Sequence, residues 1–222
     1  MLKSILFLFW TTMLGGVVLG LLTWGVGRTV FSDFVSMDVA VSGASEIGMI
    51  ILATLTMCLI SVVGYVGYLM TNYYMIGILR SRKGAWSGLQ LFFIALAIAN
   101  LFFLRYKEFA EGHESLGMYL GIPVLIIAAG LIISQIKVSL TNSHARIPTL
   151  FFIIVVTSLE MLPAFSISDL SSLLYVAIVL LGCNAWQILI FHKLTNKTGA
   201  GAKAPANTSA KNPSKRPSAK KA

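Results

Sequence analysis

The stretch "FFIIVVTSLEMLP", Phe151 to Pro163, holds one carboxylate, Glu160, in a run of aliphatic and aromatic side chains. No basic residue lies within ten positions of it on either side. An isolated acid in such a run belongs either to a buried core helix or to a helix crossing lipid. The rest of the chain decides. Of its 222 residues 57% are hydrophobic and 11% charged, and the mean hydropathy is +0.84. A soluble domain carries roughly a quarter charged residues. This chain lacks the polar groups to cover its own surface, so lipid must cover it.

A segment needs about 20 apolar residues to cross a hydrocarbon core of about 30 Å. Six stretches approach that length: Ile5–Val26, Ile47–Met70, Trp86–Leu104, Gly117–Ile136, Ile147–Pro163 and Ser172–Phe191. The fifth is the shortest and carries Glu160. Backbone polar groups in lipid must be satisfied within the segment, which makes helices the economical reading. The first run is too long for a signal-peptide core, and no convincing small-residue cleavage site follows it. The expected fold is an all-α integral membrane protein, a six-helix transmembrane bundle over 1–194, with a disordered polybasic tail over 195–222.

The loops set the orientation. Lys3, Arg80, Arg82, Lys83, Lys137, Arg146, Lys193 and the seven basic residues of the tail fall on one side, fourteen of the 17 in the chain. Arg28, Arg105 and Lys107 fall on the other. The positive-inside rule then predicts a multi-pass plasma-membrane protein with both termini cytoplasmic. Seven of the eight acids fall in the outer loops of that arrangement, all but Glu160. The tail, "TGAGAKAPANTSAKNPSKRPSAKKA", has no aromatic residue and cannot fold alone. Its lysines suit anionic lipid headgroups. Without stacking side chains and beside a membrane tether, nucleic acid is not the expected partner.

Polar residues inside the spans form two expected layers. At 1.5 Å per residue, Glu160 lies about 20 Å into the fifth helix, and Asn100 and Arg105 reach a similar outer depth on the third. Glu160 then either pairs with Arg105 or extends to the headgroups, because an unpaired carboxylate in lipid is costly. Nearer the cytoplasmic face lie Gln90, Gln135, Asn184 and Gln187. Asn184 and Gln187 are three apart and share a helix face. Such amides most often hold helices together; a polar pathway is the sharper reading. Gly16–Gly20 and Gly117–Gly121 are GxxxG spacings, which permit close helix approach, here expected within the chain.

Chemistry-bearing constellations are not found in the sequence. Cys58 and Cys183 lie in apolar runs, where cysteine behaves as a small hydrophobe, and no disulfide framework is indicated. No His/Cys/Asp/Glu cluster has metal-ligand spacing. Ser87 in "AWSG" has no helix histidine to activate it. No phosphate loop or dinucleotide fingerprint is present. The expectation is no cofactor, no metal and no catalysis.

Four stretches carry a resemblance: "IGILRSRKGAWSGLQ" (Ile76–Gln90), "LFFLRYKEFAEG" (Leu101–Gly112), "RIPTLFFIIVVTSLEMLP" (Arg146–Pro163) and "LLGCNAWQILIFHKL" (Leu180–Leu194). In this order they resemble the KinB-signalling pathway activation protein family of spore-forming Firmicutes, over about residues 3–195. The resemblance implies a non-enzymatic membrane regulator that activates a membrane sensor histidine kinase feeding the sporulation phosphorelay. It transfers no active-site residues. Glu160, Arg105, Asn100, Asn184 and Gln187 are therefore candidates for structural or partner contact only. The alternative class is a small transporter or permease using the polar residues of the bundle.

Overall fold

The computed structural model describes residues 2–30, 43–79, 83–111, 116–166 and 170–200. Within them the chain is helical, with no strand. Four long helices come first: α1 (Leu2–Val30), α2 (Gly43–Ile78), α3 (Lys83–Ala110) and α4 (Leu116–Leu140). A 3-10 turn at Ser143–Ala145 leads into α5 (Arg146–Phe151), and α6 (Thr157–Glu160) and α7 (Leu170–Ala200) follow. α7 continues past position 194, where the composition changes. The basic tail from 201 lies outside the described residues, as does the side chain of Arg105.

Five helices are long and apolar enough to cross a membrane, over Ile5–Val30, Glu46–Ile78, Gly84–Leu104, Tyr119–Leu140 and Ser171–Phe191. They match five of the six expected spans and give the molecule its membrane character. The sixth expected span is built differently. Between α5 and α6 the helix widens into a π turn over Phe152–Val156, and Leu162–Ser166 tightens into a 3-10 turn. The continuous helical stretch 146–160 rises only about 22 Å at 1.5 Å per residue. That falls short of the hydrocarbon thickness.

Burial explains why this short stretch is irregular. Phe151, Phe152, Ile153, Ile154 and Val155 are all buried in succession. A helix apolar all round belongs at the centre of a bundle, and this one packs against α2, α3, α4 and α7. Pro148 has no N–H to donate, and its carbonyl and that of Thr149 share the N–H of Phe152. Rings from the surrounding helices close on the centre: Tyr65 and Tyr68 against Phe152, Phe191 against Tyr65, and Tyr68, Trp86 and Phe93 against Phe151. Gly130 of α4 admits Ile154, whose Cγ1 would lie 2.9 Å from any Cβ placed there.

α1 stands outside this centre, packed on α7 and α2. A second, smaller core lies between these three helices, formed by Met13, Ile50, Cys58, Tyr175, Val179 and Cys183. Tyr175 donates to Thr54 Oγ1 at 2.5 Å, because the Thr54 proton already goes to the Ile50 carbonyl at 2.7 Å. The ends are tied as well. Arg28 pairs with Glu46 at 2.8 Å between α1 and α2, Trp86 Nε1 donates to Asn72 Oδ1 at 2.9 Å, and Lys137 Nζ donates to the Ile188 carbonyl at 2.6 Å.

Candidate functional site

Three helices each present two residues three positions apart on the same face: Ser61 and Gly64 on α2, Thr157 and Glu160 on α6, Asn184 and Gln187 on α7. Residues at this spacing are neighbours along a helix surface. They meet in a buried polar cluster. Ser61 Oγ donates to Asn184 Oδ1 at 2.8 Å and accepts from Gln187 Nε2 at 2.9 Å. Asn184 Nδ2 donates to Thr157 Oγ1 at 2.9 Å and to Glu160 Oε2 at 2.6 Å. Asn184 thus uses its carbonyl oxygen and both amide protons, and it ties α2, α6 and α7 at one point. Ser61, Thr157, Asn184 and Gln187 are fully buried.

Glycine makes room for the carboxylate. A Cβ at Gly64 would collide with Glu160 Oε1, so the acid sits against bare α2 backbone. That oxygen and Gln187 Oε1 are buried without a hydrogen-bond partner. The cluster therefore has more acceptors than donors. Its internal bonds close on one another, and its chemistry is that of a helix clamp: interhelical hydrogen bonds in lipid contribute about 0.6–2 kcal/mol each.

The expected two-layer arrangement is corrected here. Glu160 is joined to Asn184, which was expected in the other layer. The reason lies in the short central stretch. α6 stops at Glu160, and nine residues, including the 3-10 turn, intervene before α7 begins. That leaves the first turns of α7 beyond the end of α6, and Asn184 comes level with Glu160 inside the bundle. The carboxylate turns to Asn184, and Asn100 is exposed on α3. The expected Arg105 partner falls on a side chain outside the described residues; among those described, Glu160 bonds Asn184. Gln90 and Gln135 do not join the cluster. Gln90 is buried with both amide atoms unpartnered, and Gln135 accepts from Arg146 at 3.1 Å near the other end of α4.

Ser61, Gly64 and Thr157 were not singled out by the sequence. A lone serine or threonine in an apolar helix is common, and only their three-residue spacing to Gly64 and Glu160 repeats the Asn184–Gln187 pattern. No group of three or more His, Cys, Asp and Glu side chains that could hold a metal occurs among the described residues.

The fold and cluster define a class: a protein of membrane character, helical throughout the described residues, in which the carboxylate of Glu160 is an element of helix packing. The family model for KinB-signalling pathway activation in sporulation (KbaA) matches residues 12–194, and the chain belongs to that family. It is similar to the KinB-signaling pathway activation protein of Bacillus subtilis (strain 168), with 31% identity over 176 residues, 79% of this chain and 86% of the relative. No solved structure matches.

Proposed function

We propose that this protein is a non-enzymatic regulator of the plasma membrane that promotes the activity of a membrane sensor histidine kinase feeding the sporulation phosphorelay. Family membership over residues 12–194 carries this reading. In the proposed arrangement the stretch Ile147–Pro163 completes six spans and both termini are cytoplasmic. The basic tail then lies against anionic lipid headgroups, and the kinase's own membrane helices are the contact partner. The architecture supports action through helix packing. The polar cluster locks α2, α6 and α7 into a unit, while α1 and α3 leave large apolar side chains such as Trp10, Leu14, Phe92 and Phe103 exposed. A regulator of this kind shifts a kinase equilibrium only if it binds the two kinase states with different affinity.

The test follows phosphorelay output and kinase abundance together in a deletion strain of the native spore-former, with photocrosslinkers placed on α1 and α3. Lower output at unchanged kinase level, with crosslinks to the kinase, is the expected result. Unchanged output ends this reading. Lower kinase level alone replaces activation with a role in kinase assembly.

A permease is the second reading, and the acceptors Glu160 Oε1 and Gln187 Oε1 are what favour it. Solute uptake into proteoliposomes that disappears with Glu160→Gln would establish it.

A further inference from the structure

The second core contains both cysteines of the chain. Cys58 of α2 and Cys183 of α7 are buried, and their Sγ atoms stand 3.6 Å apart. Gly16 of α1 closes over the pair: a Cβ there would collide with Cys58 Sγ and lie 3.0 Å from Cys183 Sγ. A disulfide requires about 2.05 Å between the sulfurs, a closure of about 1.5 Å.

Buried thiols in apolar surroundings are ordinarily inert, so access decides whether this pair reacts. A crevice of about 240 Å³ between α1 and α7 reaches Cys183, with Thr12, Gly15, Gly16, Gly182 and Trp186 along its walls. Exposed Gly15 and Trp186 place its mouth on the outer face of the bundle. Thr11 spends its hydroxyl proton on the Phe7 and Leu8 carbonyls. Thr12 does not: the residue is buried, and its Oγ1 has no hydrogen-bond partner. The crevice thus has an unused hydroxyl and a thiol among its lining residues, and it opens on the outer face of the bundle.

We infer that Cys58 and Cys183 form a disulfide-forming pair, reached through the α1/α7 crevice by a lipid-soluble two-electron oxidant of the quinone class whose carbonyl oxygen takes the Thr12 hydroxyl proton as a hydrogen bond. Two S–H bonds break and one S–S bond forms. The two electrons and two protons pass to the two carbonyl oxygens, leaving a hydroquinone. The product is a covalent tie between α2 and α7, three residues from Ser61 on α2 and one from Asn184 on α7, which share a hydrogen bond.

The test uses the full chain in membrane vesicles and tetramethylbenzoquinone, whose ring methyls block addition of thiols. After treatment the chain is denatured and reacted with a maleimide-polyethylene glycol tag. The untreated chain takes two tags. The oxidised chain is expected to take none, to remain monomeric on a non-reducing gel, and to regain two tags after reduction. Cys58→Ser is expected to keep its single tag. Thr12→Val is expected to slow tag loss roughly 2- to 12-fold, the effect of one hydrogen bond, with Thr12→Ser restoring the rate. A treated wild-type chain that still takes two tags, or that appears as a crosslinked dimer, overturns the pair. Equal rates for wild type and Thr12→Val overturn the crevice route.

Discussion

The chain carries the GxxxG spacing three times, and the copies on α1 and α4 do opposite things. On α1, Gly16 and Gly20 both face neighbours. A Cβ at Gly16 would strike the two thiols, and one at Gly20 would lie 2.5 Å from Thr54 Oγ1 and 2.9 Å from Tyr175 Oη. On α4, Gly117 and Gly121 have nothing within 4 Å of where a Cβ would sit. The motif permits close approach, but only a partner helix presenting small or polar side chains converts permission into contact. α2 and α7 offer Thr54, Cys58 and Cys183 to α1, whereas the face of α4 bearing Gly117 and Gly121 is exposed. Gly64 shows the same logic outside any motif, because its partner is Glu160.

The severest way to break this contrast is Gly16→Leu. It places a branched side chain where even one carbon meets two sulfurs. Overpacking costs typically 1–3 kcal/mol and occasionally more, and the α1 backbone has no room to relax without leaving α7. The expected outcome is a loss of about 3 kcal/mol or more, read as a collapse in yield of monodisperse protein in detergent. A wild-type yield and unfolding midpoint would show that α1 does not pack as described. Gly64→Ala comes next, at roughly 1–3 kcal/mol, by displacing Glu160 from its seat. Combining it with Glu160→Ala should recover part of the loss, since the clash disappears; strict additivity of the two changes would show that they do not touch.

Asn184→Ala is expected to cost about 1–3 kcal/mol, the penalty of stranding buried polar groups. It removes the donor to Glu160 and Thr157 and the acceptor of Ser61 together. Glu160→Gln should cost less, about 1 kcal/mol or under, because the amide keeps an oxygen for Asn184 Nδ2. Detergent unfolding midpoints rank the two. A larger effect for Glu160→Gln would give the carboxylate a role beyond its bond to Asn184.

Much of this was legible in advance. The five long helices follow from hydropathy and length alone, and the Asn184–Gln187 face follows from spacing. Three things were not. Depth along an axis assumes a straight helix of full length, and the central segment is neither: the π turn and the early stop at Glu160 come from packing on four sides. The sequence suggests Arg105 or the headgroups for Glu160, while among the described residues the fold supplies the Asn184 amide. The approach of Cys58 to Cys183 depends on the contact of α2 with α7, which no local pattern in either helix encodes.

The smallest expected effect gives the contrast its sharpest edge. Gly117→Ala with Gly121→Ala changes the same motif as the α1 pair but meets empty space. Glycine in a helix interior costs about 0.8–1.0 kcal/mol relative to alanine, and no contact opposes the gain at these positions. The double change should therefore leave the unfolding midpoint unchanged or raise it, by up to about 1 kcal/mol of stability, mostly from Gly121, since Gly117 lies in the first turn of α4. Should it instead lower phosphorelay output while the protein remains stable, the exposed α4 face would be a surface that another helix approaches, and its glycines would serve a contact made outside this chain.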